Sequence, residues 1–428
     1  MSVLDERRRE AEAALTHINT DLWPDIAKVP TNATRARIAR VLFERVVRKL
    51  PLHVLLPDGR VLGAGGLTGP VMRMRRPEAF YLRIGESGLV GFGEAFMAGD
   101  WETDDLAGVL EVFAAKVGEL IPPSLQRLRD VALLRHPSSD AQTKSNQKKN
   151  IERHYDLSND LFTLFLDDTM TYSSALFDSP HQLRPTATFD DLADASRRKV
   201  DRLLDAAGVT EGSTVLEIGT GWGELALRAA GRGARVHSIT LSVEQRELAL
   251  DRVRAAGLDH LVTIDLCDYR DVQGTFDAVV SVEMIEAVGY QYWPEYFAVL
   301  DKHLKPGGKV GLQAITMPHD RMVASRDTFT WIHKYIFPGG LIPSVTAIEQ
   351  SVFAHTSLRI TDRFAFGQHY AETLRLWREQ FEAHADQVAG LGFDDTFRKM
   401  WSLYLAYSEA GFASGYLDVY QFVFEKGR

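Results

Sequence analysis

The stretch VVSVEMIEAVGY, residues 279 to 290, closes an apolar run and then sets two carboxylates, Glu283 and Glu286, three positions apart among apolar neighbours. The preceding FDAVVSV (276–282) reads as a strand buried on both faces, so both acids stand where that strand ends. A carboxylate there can orient or accept a proton inside a pocket, and it can equally face solvent or cap a helix. For Glu283 the residues alone leave these two readings open.

A second stretch, VLEIGTGWGE (215–224), places Gly219, Gly221 and Gly223 between a strand-like run and a helix-like segment. Glycines there permit a tight turn and let a ligand approach the backbone beside a helix N-terminus. Nicotinamide and flavin domains use a similar device, so the turn by itself does not choose between ligands. Two details shift the balance. Glu217 lies at the strand's end in an E-x-G-x-G-x-G pattern similar to that of many adenosylmethionine-dependent methyltransferases. The next strand ends in SITLSVEQ, where Thr240, Ser242 and Gln245 replace the acid that a dinucleotide domain commonly offers to ribose. Asp268, in LCDYRD, can accept a hydrogen bond from an adenine amino group. Cys267 beside it is expected to pack rather than react, since nothing nearby predicts a lowered thiol pKa. His154 and His369 lack metal-ligand spacing, so no metal is expected.

The scaffold for these groups is legible as an alternation. Apolar runs TVLEIG (214–219), ARVHSIT (234–240), LVTIDL (261–266), FDAVVSV and KVGLQAIT (309–316) are separated by helix-like segments, which predicts an α/β fold, a mainly parallel sheet with helices on both faces. YAETLRLWREQFEAH and DTFRKMWSLYLAYSEAGF read as two amphipathic helices, and VYQFVFEK as a closing strand. The polar stretch 135–150 reads as a linker, dividing a smaller N-terminal α+β accessory domain, 1–134, from a catalytic domain, 151–428. In the N-terminal part, TRARIARVLFERVVRKL (34–50) carries an apolar stripe of Ile38, Val41, Leu42 and Val46 flanked by arginines. The runs HVLL, VMRM and AFYLRI are β-like, and DDLAGVLEVFAAKVGEL reads as a helix.

Composition bounds the function. With 428 residues and 45% hydrophobic content the chain is globular and large enough for two domains. A net charge of −9 argues against a nucleic-acid partner. The single cysteine excludes an internal disulfide and fits a reducing compartment. MSVLDERRREAEAAL is too charged for a signal peptide, and no run reaches the roughly 18 apolar residues of a spanning helix, so a cytoplasmic location with peripheral membrane contact is expected. The arginine-rich helix and RMRR (73–76) are candidates for meeting anionic headgroups.

HYDLSNDLF (154–162), MTYSSALF (170–177), EIGTGWGE, ITLSVEQ, DYRD, KYIFPGG (334–340) and FGQHYAETLRLW (366–377), in this order, resemble the cyclopropane fatty acid synthase family of mycolic acid and cyclopropane synthase-like methyltransferases. The resemblance implies adenosylmethionine as methyl donor and, as acceptor, the cis double bond of an unsaturated acyl chain on phospholipid. It further implies that Tyr172, Ser173, the 217–223 turn, Thr240, Leu241, Gln245 and the Cys267–Asp268 pair contact the donor. Glu286 falls where the family has a glutamate that helps hold bicarbonate, the proton acceptor, and Ile315 and Tyr370 match two further members of that anion site. Three positions depart from the pattern: Ser174 for cysteine, Ala287 for histidine and Gln313 for histidine. Glu283 is an added carboxylate. A homodimer is implied by resemblance as well.

The chemistry so implied needs a dry site, because an isolated alkene is a poor nucleophile and the cation formed on methylation must be kept from water. Aromatic faces and a carboxylate stabilise that cation, and a base then removes a proton. Loss of the proton with ring closure gives a cyclopropane. A prior hydride shift gives an exocyclic methylene, which a separate reductase can convert to a methyl branch. The departures change hydrogen-bond geometry in the anion site, and SVEMIEAVG resembles the methylene- and methyl-branched subfamily. The expectation is therefore methylenation of an oleoyl-type chain, with cyclopropanation as the alternative. A nicotinamide oxidoreductase and a non-catalytic lipid-binding protein are the rival classes. Trp331, Tyr335 and Phe337 are candidates for lining an acyl tunnel.

Overall fold

The computed structural model describes residues 18–120, 158–178 and 187–427. The stretch expected as a linker, 135–150, and His154 lie outside them. The chain forms two compact units, neither contiguous in sequence. One gathers Met1–Arg135, Thr328–Ile336 and Phe381–Ser414; the other gathers His136–Asp327, Phe337–Gln380 and Gly415–Arg428. Two segments of the expected catalytic domain therefore group with the N-terminal unit.

The first unit holds a small sheet of β1 (His53–Leu55), β2 (Val61–Leu62), β3 (Val71–Met74) and β4 (Trp101–Glu102), ordered β2-β1-β3-β4. HVLL and VMRM are strands as expected, but AFYLRI is not: it lies in a helix, Pro77–Ser87. Pro77 supplies the fixed φ of a first helical turn, and Gly88 ends the helix with a φ of 59°. The helix buries Phe80 and Tyr81 against Phe43, at ring-centroid distances of 4.9 and 6.1 Å. It also buries Arg83, whose guanidinium donates to Asp100 at 2.9 Å and to the Ile26 carbonyl at 2.6 Å. Ala33–Val47 is helical, N-capped by Asn32, which accepts from the Arg35 amide. Its expected apolar stripe points outward, with Ile38 58% and Val41 66% exposed, while Phe43 and Val47 supply the inward contacts.

The second unit holds β5 (Thr214–Ile218), β6 (Arg235–Thr240), β7 (Val262–Leu266), β8 (Phe276–Val282), β9 (Leu304–Thr316), β10 (Leu358–Ala365) and β11 (Asp418–Lys426), ordered β10-β11-β9-β8-β5-β6-β7. The run from β9 to β7 is parallel, and β11 inserts antiparallel between β9 and β10. Successive residues of the central strands enter different cores. Leu216, Ile218 and Val279 pack with Phe297, Leu300 and Ile348 on one face. Val215, Ala278 and Val280 pack with Leu203, Leu225 and Ala226 on the other. Burial on both faces is why these strands read as continuous apolar runs. Because β5 has β6 on one side and β8 on the other, the chain reverses direction of sheet growth beside β5, and a crevice opens at the strands' carboxyl ends.

Candidate active site

The crevice is lined at the ends of β5, β6 and β8 by Ile218, Thr240 and Val282. Gly219, Gly221 and Gly223 carry the turn with φ of 97°, 52° and 91°. A Cβ on Gly219 would lie 2.6 Å from Met284 Cγ, and one on Gly223 would lie 3.0 Å from Ala249 Cβ, so both the backbone conformation and the space demand glycine at those two positions. Glu217 is buried at the head of the turn and accepts from the Ser238 hydroxyl. Burial pushes its carboxyl up to about 8. Glu217 offers a vicinal diol carboxyl oxygens to hydrogen-bond with, and Trp222, Tyr269 and Met284 offer an aromatic base a stacking surface. These residues fit adenosylmethionine.

Of the residues expected at the donor, Tyr172, Ser173, Glu217, Gly219, Gly221, Thr240, Leu241, Gln245 and Cys267 line this cavity, while Gly223 shapes its turn from behind. Asp268 does not line it: its carboxylate receives Arg270 Nε at 2.7 Å and Nη2 at 2.6 Å. Tyr172 sits in an aromatic wall, 5.2 Å from Phe162 and 5.3 Å from Trp377 between ring centroids, and Tyr370 meets Trp377 edge-on at 6.2 Å. Trp331 and Tyr335 belong to the first unit, where the Tyr335 hydroxyl donates to Glu94, rather than to the residues lining this cavity. Sequence reasoning missed Lys199. Its side chain is 1% exposed and donates to Ser173 Oγ at 2.7 Å. Burial lowers the ammonium to about 8, against the pull of Glu283, Asp167, Glu224 and Glu217. On an amphipathic helix a lysine reads by default as solvated, so only the distribution of carboxylates in three dimensions reveals it.

Glu283, Glu286, Ser174, Gln313, Ile315 and Tyr370 converge at the expected anion site, while Ala287 lines the donor cavity. Glu283 follows β8 with a left-handed φ of 52°, a conformation costing a non-glycine residue about 1–2 kcal/mol. Its carboxylate accepts from the Ser174 amide at 3.1 Å, Gln313 Nε2 at 2.8 Å and the Tyr370 hydroxyl at 2.7 Å. Glu286, on the short turn Ile285–Ala287, accepts from the Ile315 amide at 2.6 Å, while its second oxygen is buried without a partner. Burial, and next the charge of Glu283, push Glu286 up to about 8. Burial also raises Glu283, but Tyr370, Lys199, Gln313 and the Ser174 amide oppose it. With three donors against one, Glu283 is the better served of the two for holding a negative charge. Ser174 and Ile315 act through backbone amides; the Ser174 hydroxyl itself donates to the Ala175 carbonyl.

Fold and cavity define an adenosylmethionine-dependent methyltransferase. A family model described as mycolic acid cyclopropane synthetase matches residues 142–422, and the chain belongs to that family. Tuberculostearic acid methyltransferase UfaA1 of Mycobacterium tuberculosis is 56% identical over 407 residues, 94% of this chain and 95% of that protein. Cyclopropane-fatty-acyl-phospholipid synthase of Escherichia coli is 34% identical, covering 83% of this chain and 88% of its own length. The solved structure of mycolic acid cyclopropane synthase CmaA1 complexed with SAH and CTAB is similar with a TM-score of 0.59 at 29% identity, over 65% of this chain and 98% of that one.

Proposed function

We propose that the protein methylates the cis double bond of an unsaturated acyl chain on phospholipid and releases an exocyclic methylene product, on which a separate reductase then acts. The observation that carries this reading is the buried carboxyl pair, Glu283 and Glu286, next to the aromatic wall of Tyr172, Tyr370 and Trp377. A polar acceptor such as a hydroxyl or amine would need no such combination; a hydrocarbon cation needs both faces and base. When bound, adenosylmethionine supplies an electrophilic methyl group. The chain's own residues exclude water, offer ring faces to the cation and take up the proton. The 56% identity to the tuberculostearic acid methyltransferase supports the methylene outcome.

Bicarbonate fits this site poorly. The Ser174 amide, Gln313 amide and Tyr370 hydroxyl already converge on Glu283, so a separate anion would meet two carboxyl groups. The protein docks peripherally on the bilayer: no helix among the described residues is long and apolar enough to cross a membrane, and Ile38 and Val41 stand exposed on a basic helix. Cyclopropanation is the second reading, favoured by the Escherichia coli relative. Incubating the protein with oleoyl phospholipid and deuterated-methyl donor, then recording lipid proton NMR, decides between them. Vinylidene signals are expected; high-field ring protons without them overturn the methylene assignment.

A further inference from the structure

We infer that Glu283 is the enzyme's resident base, its side-chain carboxylate standing in the anion site and taking the substrate proton directly. This rests on the methyl-transfer reading above and goes beyond it.

Four features of the molecule converge on Glu283. Its two oxygens collect donors from three separate places: the backbone after Ser173, β9 through Gln313, and the helix Gly367–Ala383 through Tyr370. The orientation of the Gln313 amide is dictated from behind. Arg202 can only donate and does so to Gln421 Oε1 at 2.7 Å, which turns Gln421 Nε2 toward the Lys199 carbonyl at 3.0 Å and Gln313 Oε1 at 3.1 Å. Gln313 must then present its own NH2 to position 283, so the relay selects an acceptor there. The backbone is held at a φ of 52° to deliver that acceptor, and Met170 is the other non-glycine residue with a left-handed φ among those described. Strain of this kind persists where surrounding contacts over-determine it. Finally, Glu283 lines the cofactor cavity together with Ser173, Glu217 and Met284, which puts it beside the place where the transferred carbon arrives.

The step balances without another reactant. After methyl transfer and hydride shift, a C–H bond of the new methyl group breaks. Its electron pair becomes the second bond of the exocyclic C=C and quenches the adjacent cation. The proton goes to a Glu283 oxygen, converting carboxylate to carboxylic acid, and passes to water when the products leave. Glu286, with one amide donor and one buried unpartnered oxygen, sits beside it as the less charged member of the pair.

The test uses the full chain, oleoyl phospholipid vesicles and methyl-labelled donor, in buffer stripped of carbon dioxide and again with added bicarbonate, counting label in lipid. The wild type is expected to turn over at the same rate in both. Glu283→Ala is expected to lose about 100-fold in bicarbonate-free buffer and to regain activity with bicarbonate or formate, because the truncation leaves carboxylate-sized space among the same donors. Glu283→Gln, which fills that space with an amide, is expected to lose activity without rescue. Calorimetry with adenosylmethionine checks that each variant retains its fold. A wild type that stalls without bicarbonate and revives with it overturns the inference, whether or not the variants fold, and so does Glu283→Ala at wild-type rate in bicarbonate-free buffer. If the wild type labels no lipid under either condition, it is the methyl-transfer reading that fails.

Discussion

Glu286 carries a stability signature that its neighbour does not share. Its carboxyl, ordinarily near 4.5, is pushed up to about 8 by burial and then by the charge of Glu283. An acid raised on folding stabilises the fold below its unfolded pKa, and that contribution is lost as pH climbs through the folded value. In cofactor-free protein, Glu286→Gln is therefore expected to be more stable than wild type at about pH 9, by on the order of 2–4 kcal/mol, and to melt at a higher temperature, with the gap closing toward about pH 5. Thermal unfolding by circular dichroism across that range measures it; a gap that does not change with pH would mean Glu286 is solvated. The same variant is expected to keep adenosylmethionine binding, since Glu286 does not line the donor cavity. At this scale the sequence exposed the acids, because both follow a recognisable strand. It concealed their environment, since Ser174, Gln313 and Tyr370 reach Glu283 from far along the chain. Asp268 differs from its expected place for a local reason: Arg270, two residues on, pairs with its carboxylate, which does not line the cavity.

Among the elements, the strands β5 to β9 were legible because both of their faces are buried and no polar alternation interrupts the run. Strand β10, LRITDRFA, escaped notice: it is an edge strand, mostly solvated, and reads as a charged loop. AFYLRI, read as β-like, is helical instead: a short apolar run looks alike in either element, and here the helix-starting Pro77 and the buried Arg83 decide it. The glycine turn joins β5 to the helix Glu224–Gly231 and lines the cavity that fits the donor. Gly219→Ala places a Cβ 2.6 Å from Met284 Cγ at a φ of 97°. Met284 is a flexible side chain, so the fold survives with a cost of roughly 1–3 kcal/mol, while the displaced turn weakens adenosylmethionine binding at least about tenfold. Isothermal calorimetry beside a melting curve separates the two effects; unchanged affinity with lowered stability would mean the turn does not touch the donor.

For the molecule as a whole, the net charge is −9, and the structure separates the two basic stretches expected at headgroups. RMRR, expected at headgroups, is committed within its own unit: Arg73 pairs with Asp104, Arg75 with Glu102 and Arg76 with Asp100. The helix Ala33–Val47 is different. Although Arg35 pairs with Glu86 and Arg40 with Glu44, the helix also carries Arg37 and Arg45 and presents Ile38, Val41 and Leu42 to solvent. Neither the stripe's outward direction nor the non-contiguous make-up of the two units follows from periodicity, because period alone says that a face is apolar and not what it meets. An exposed apolar row flanked by arginines suits an anionic bilayer: in the docking proposed above, the row would enter the headgroup region and each arginine near the surface would contribute about 1 kcal/mol. Co-sedimentation with vesicles containing anionic lipid is expected to fall with rising salt and to be weak on neutral vesicles. Ile38→Asp combined with Val41→Asp, at positions 58% and 66% exposed, is expected to leave the melting temperature nearly unchanged and to abolish sedimentation even at low salt. Turnover on short-chain lipid dispersed as monomers should survive in that variant, since the bilayer step is then bypassed. Sedimentation indifferent to both salt and the double substitution would move the docking surface elsewhere on the chain.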